Sequence, residues 1–134
     1  LLAGGTGFGP VKAIVEHAFQ QKSVRPMALY WGARDRAGLY LHELAASWAA
    51  SHPGFKYVPV LSEAQPGDGW LGRNGLVHRA VMADFPDLSG HQVYACGAPA
   101  MIEAARFDFI SRCGLKNEDF FADAFTFAAE SVSP

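Results

Sequence analysis

Five short β-rich runs in this chain are separated by four stretches of helical periodicity, and that alternation limits the fold more than any single residue does. The runs cover residues 1–3, 27–33, 56–62, 91–97 and 120–127; the helical stretches cover 10–21, 39–50, 76–85 and 98–114. In the first helical stretch Val11, Ile14, Val15, Ala18 and Phe19 recur at the spacing of one helix face. The run "MALYWGA" is apolar almost throughout, as a strand covered on both faces must be. Strand and helix alternating in this way build a parallel sheet flanked by two helical layers. The expected fold is α/β, a doubly wound five-stranded parallel sheet of order 3-2-1-4-5 with helices on both faces, in one domain over residues 1–134.

Finer features follow from single residues. Pro10 suits the first position of the first helix, where a missing N–H leaves nothing unpaired. Pro59 predicts that the third strand lies at an edge, and Gly114 is a suitable C-cap for the last helix. Residues 63–75 show no period and read as a mobile loop. A net charge of −2, with no basic block, argues against nucleic acid as a partner. No apolar run approaches the ~20 residues needed to cross a bilayer, so no membrane partner is expected. Cys96 and Cys113 form neither a zinc pattern nor a disulfide framework, which points to a reducing, cytoplasmic setting. The five histidines lack metal spacing and read as surface or helix-face residues; no metal site is expected.

Two stretches carry chemistry. Four glycines fall within six positions of "GGTGFGP", between the first strand and the first helix. Backbone freedom there lets a sharp turn expose N–H groups at the positive end of a helix dipole, which is a place for phosphate. The spacing Gly5-Thr6-Gly7-Phe8-Gly9-Pro10 is G-x-G-x-x-P, neither the ordinary dinucleotide fingerprint nor a P-loop. A tight turn with no ligand is the bland alternative. The second stretch, "CGAPAM", puts Cys96 and Gly97 at the carboxyl end of the fourth strand. In the expected strand order the first and fourth strands are neighbours, and their connections diverge to open a crevice. Both turns should flank that one cleft. At its far side Arg34, Asp35 and Arg36 follow the second strand, where an adenosine ribose should lie, and Ser62-Glu63 follows the third. A solvated charged rim is the alternative for these residues.

The motifs "GGTGFGP" and "CGAPAM", with "LYWGARDRAGLYLHEL" and "FFADAF" between and after them, resemble the pyridine-nucleotide domain of the ferredoxin–NADP reductase superfamily. Within it they look most like the [2Fe–2S]/FAD reductases of bacterial oxygenases and the CDP-6-deoxy-glucoseen reductases. The resemblance implies a domain excised from a longer flavoprotein, with an FAD-binding domain as its partner in the same chain. It further implies a [2Fe–2S] centre in the parent and an acceptor protein such as an oxygenase. Gly5, Thr6 and Gly7 would cradle the pyrophosphate, with Pro10 opening the helix behind them. Cys96 would place the nicotinamide for hydride transfer, as a positioner and not a nucleophile, with Gly97, Ala98, Pro99 and Met101 around it. Phe125 would face the flavin; for Met101 and Phe125, core packing is the competing reading. Relatives specific for NADP often carry an arginine where this chain has Glu63, and a carboxylate there repels a 2′-phosphate, so NADH is the expected donor. NADPH-dependent flavin or ferredoxin reductases and a non-catalytic scaffold of the same fold remain as alternatives.

Overall fold

In a computed structural model describing residues 1–124, alternate side chains of one strand serve two separate cores. Met27, Leu29, Trp31 and Ala33 of β2 (Met27–Ala33) join one apolar cluster, while Ala28 and Tyr30 join the other. The same alternation runs through β3 (Phe55–Leu61), where Phe55, Tyr57 and Leu61 face one layer and Val58 and Val60 the other. A period of two with both phases apolar is what a strand between two helical layers requires.

The first layer is α1 (Phe8–Gln20) and α2 (His42–Ser51), packed through Phe8, Val11, Val15, Ala45 and Trp48. The second is α3 (Val77–Asp84) and α4 (Pro99–Cys113), packed through Val77, Val81, Ile102, Ala105 and Phe109. Between them, β1 (Leu2–Gly4), β2, β3, β4 (Arg73–Asn74), β5 (Val93–Gly97) and β6 (Phe120–Ala124) form one parallel sheet of order β4-β3-β2-β1-β5-β6. From β1 the chain steps outward to β2 and β3; it then crosses to β5 on the other flank of β1. The switch point lies between β1 and β5, where the sequence placed it.

The structure departs from expectation in several places. The sheet has six strands, not five. The extra one, β4, is two residues long and pairs only with Val60 and Leu61, so Pro59 sits just short of a covered edge. Pro10 is the third residue of α1, because a 3-10 turn over Gly5–Gly7 runs straight into a helix starting at Phe8. The first four helical N–H groups lack intrahelical partners, so proline is equally harmless there. α2 starts at His42, because Asp35 accepts a hydrogen bond from the Gly38 N–H and closes a separate 3-10 turn over Arg36–Gly38. Gly114 does cap α4, at φ +72°.

Residues 63–75 are not a loose loop. Gln65 and Asp68 form a reciprocal capping box around the turn Pro66–Asp68. The Trp70 indole donates to the Arg73 carbonyl, and Arg73 reaches Asp84 of α3 at 3.0 Å. Of the two readings for the histidines, His78 takes the helix-face one: it is buried in α3, with its Nε2 3.0 Å from Asp108 of α4.

Candidate functional site

β1 is only three residues long, and the chain turns as soon as it leaves the sheet. Gly5 takes the left-handed conformation at φ +54°, which costs other residues energy and glycine almost none. The turn then carries Gly7 against the end of β5. A β-carbon added at Gly7 would stand 2.2 Å from the Cys96 carbonyl oxygen and 3.0 Å from the Gly97 nitrogen. Residues remote in sequence thus meet at the carboxyl edge of neighbouring strands, in register through Ala3 and Cys96. Thr6, between the two glycines, is exposed.

Two helices start at this edge. α1 begins at Phe8, after the glycine turn, and α4 begins at Pro99, with Ala98 as its extended N-cap. Their first N–H groups and their dipoles favour negative charge at the same rim. Met101, in the first turn of α4, lies over both turns: β-carbons added at Gly4 and Gly97 would stand 3.0 and 2.7 Å from its Cε. It also packs against the α3–α4 core, as the core reading of this residue expects.

Cys96 is buried beneath the turn at 4% exposure. Burial, and secondarily Asp123 on the adjoining strand, push its thiol above the ordinary range. It is therefore a neutral SH group at neutral pH, suited to contact and not to nucleophilic attack. Cys113 is buried in α4, with its thiol likewise pushed up, chiefly by burial.

The charged residues after β2 and β3 form the other end of the rim. Arg34 Nε lies 3.4 Å from Glu63 Oε2, and the Glu63 N–H donates to the Arg34 carbonyl at 2.7 Å. Asp35 is turned away to cap its own 3-10 turn, and Arg36 reaches the Asp68 carbonyl at 3.4 Å. The structure therefore brings together Gly5, Thr6, Gly7, Cys96, Gly97, Ala98, Pro99 and Met101 at the switch point. It gathers Arg34, Arg36 and Glu63 beside it and assigns Asp35 to the backbone. Pro10 stands in the first turn of α1, and Phe125 lies outside the described residues.

One element of the rim went unrecognised in the sequence. Trp31 of β2 is fully buried, and its indole N–H donates to the Gly5 carbonyl at 2.9 Å. Phe8 stacks on it at 4.0 Å, and the half-exposed Tyr40 meets both rings edge-on. A tryptophan inside an apolar strand signals only core, so composition and period give no hint of this bond.

A cavity of about 800 Å³ lies elsewhere, at the amino ends of the strands among Met27, Ala28, Val81, Phe85 and Val93. It opens toward both helical layers and is not continuous with the glycine turn. Among the described residues no group of three acidic, histidine or cysteine side chains is placed to hold a metal ion, and no helix is long and apolar enough to cross a membrane.

An open parallel sheet with a glycine turn and two helix N-termini meeting at its switch point defines a nucleotide-binding α/β domain. The comparisons make that class specific. The oxidoreductase NAD-binding domain family matches residues 1–106, and the chain belongs to it, as the NAD-binding domain of the ferredoxin reductase family. The chain is 49% identical over 126 residues to the CDP-6-deoxy-L-threo-D-glycero-4-hexulose-3-dehydrase reductase of Yersinia pestis, covering 92% of this chain and 36% of that protein. It is 40% identical to the NAD(P)H-flavin reductase of Aliivibrio fischeri, covering 95% of this chain and 52% of that one. Among solved structures, the Amycolatopsis cytochrome P450 reductase GcoB superposes with a TM-score of 0.84 at 35% identity, covering 95% of this chain and 37% of that chain. The chain thus spans from about a third to a half of the proteins it matches.

Proposed function

We propose that this chain holds NADH across the carboxyl edge of β1 and β5 and presents its nicotinamide to a flavin carried by a companion domain. The observation that carries the reading is the direct packing of Gly7 on the Cys96–Gly97 backbone, too close for any side chain, which holds the glycine turn and the carboxyl end of β5 together at one edge. Gly5, Thr6 and Gly7, at the start of α1, take the diphosphate through backbone N–H groups, and Pro10 stiffens the turn behind them. Cys96, Gly97, Ala98, Pro99 and Met101 shape the nicotinamide end, where a neutral, buried thiol offers close contact without competing chemistry. Arg34, Asp35, Arg36 and Glu63 lie at the ribose end.

When bound, NADH supplies a hydride, FAD of the companion domain receives it, and a [2Fe–2S] centre passes single electrons to an oxygenase or similar acceptor. This chain contributes binding and orientation, and alone it should turn nothing over. The Yersinia and Amycolatopsis proteins, each roughly three times the matched length, support a multidomain reductase. The Aliivibrio flavin reductase, of which the chain covers 52%, supports a second reading: a two-domain NAD(P)H-dependent flavin reductase without the iron–sulfur step.

The donor follows from Glu63, whose carboxylate both repels a 2′-phosphate and pairs with Arg34, the nearest cation that would otherwise bind one. Calorimetric titration of the chain with NADH and NADPH tests this; NADH should bind more tightly. Binding of neither would leave a scaffold that kept only the fold.

A further inference from the structure

We propose that Trp31 is a positioning residue for the nucleotide diphosphate: by holding the Gly5 carbonyl inward, its indole N–H turns the next amide, that of Thr6, out toward the cleft. The inference rests on the proposal that the glycine turn binds the diphosphate.

The argument starts from the softness of the turn. Four glycines in six positions give this stretch more conformational freedom than any other part of the chain. Gly5 at φ +54° has little to keep it from other regions of its map. A site built from backbone N–H groups works only if those groups already point at the ligand, because ordering them during binding costs affinity. Something outside the turn must fix it.

Trp31 is placed to do so. The β1–β2 ladder puts it opposite Ala3, two residues before Gly5, with its side chain on the α1 side of the sheet. The indole is clamped by Phe8, stacked at 4.0 Å and 10° between planes, and by Tyr40, edge-on at 5.4 Å. A further ring, Trp48, stacks on Phe8 at 5.7 Å. So held, the indole N–H has one direction available, and at 2.9 Å it meets the Gly5 carbonyl. In a trans peptide the C=O and the following N–H point opposite ways. Drawing the Gly5 oxygen toward the core therefore directs the Thr6 N–H away from it, on a residue that is exposed at the rim.

The test separates the donor from the ring. Trp31 is replaced by 3-benzothienylalanine, which keeps the bicyclic shape and substitutes sulfur for the N–H, and separately by Trp31→Phe. Each protein is titrated with NADH well below its unfolding temperature. Loss of one hydrogen bond should weaken binding about fivefold in both, and the Thr6 amide signal in a nitrogen–proton NMR spectrum should broaden or move in the absence of nucleotide. A purely structural role would lower the melting temperature and leave both readouts in place. In the unsubstituted chain, the Trp31 indole and Thr6 amide signals should shift together as NADH is added; this reading decides the matter even if both replacements fail to fold. NADH affinity within twofold of the parent, or an indole signal indifferent to NADH that saturates Thr6, overturns the inference. If the parent chain fails to bind NADH, the functional proposal falls instead.

Discussion

The α-carbon of Gly7 lies against the carbonyl of Cys96, so closely that a β-carbon at residue 7 would stand 2.2 Å from that oxygen. Both groups are backbone, so neither can swing aside as a side chain would. Gly7→Ala must therefore push the glycine turn off β5 or distort the end of β5 itself. Overpacking costs about 1–3 kcal/mol, and this site belongs at the upper end because the clash is with main chain. Urea unfolding should show that loss, and NADH binding should fall with it. Gly9→Ala is the control: nothing lies within 4 Å of a β-carbon there, so stability and binding should barely change.

The Arg34–Glu63 pair controls the charge a ribose would meet. With side chains 84% and 61% exposed, the pair contributes little to stability, since exposed ion pairs are worth about 0.2–1 kcal/mol. Its effect should appear in selectivity. Glu63→Gln removes one negative charge and frees Arg34, and Glu63→Arg adds a second cation. The ratio of NADPH to NADH affinity should rise by about threefold in the first and further in the second. Titrating both nucleotides against each variant checks this; the rise should shrink in high salt.

These contrasts show what the residues disclosed in advance. Doubling of the apolar phase in "MALYWGA" gave both helical layers, and the glycine turn before a helix gave the rim. Arg73–Asn74 could not be read as a strand, because two polar residues carry no period; only the ladder to Val60 and Leu61 makes them one. The ordering of residues 63–75 was hidden for a related reason. Arg73 is tied to Asp84, eleven residues on in another element, and the Trp70 bond is to a carbonyl. The Gln65–Asp68 capping box spans only three residues, so it is the one part of this ordering that the sequence carries locally. Burial of His78 depends on Asp108, thirty residues away, which supplies the partner that makes a polar residue tolerable there.

Asp84 joins β2 to β4 by accepting hydrogen bonds from the Tyr30 hydroxyl and from Arg73. Arg73 first, then Tyr30, hold its carboxyl below the ordinary carboxylate range. A carboxyl depressed in the folded state stabilises above its unfolded pKa, about 3.9, and loses that contribution as pH falls through the folded value. Asp84→Asn should therefore cost about 1 kcal/mol at pH 7, the worth of a partly screened charged hydrogen bond. The gap from the parent should narrow as the pH drops below about 4. Urea titrations at several pH values give both numbers, and a gap that stays constant would mean the carboxylate charge is irrelevant.

Cys96 gives the opposite sign. Burial, with help from Asp123, raises its thiol in the folded chain, and Cys113 is raised mainly by burial as well. A group raised on folding contributes stability that is complete below its unfolded pKa, about 8.5 for a thiol, and is lost as pH climbs toward the folded value. On this account unfolding free energy should decline above about pH 8.5. Tyr30 and Tyr57, whose hydroxyls are also raised chiefly by burial, should steepen the decline above about pH 10. Replacing both cysteines with alanine should remove the first part of the decline and leave the second. At pH 7 the raised thiol and its burial should make Cys96 react with iodoacetamide more slowly than a free thiol, because the thiolate is the reacting species. Rapid alkylation of Cys96 in the folded chain would require a thiolate at this rim, and the thiol could then no longer be regarded as a passive contact for the nicotinamide.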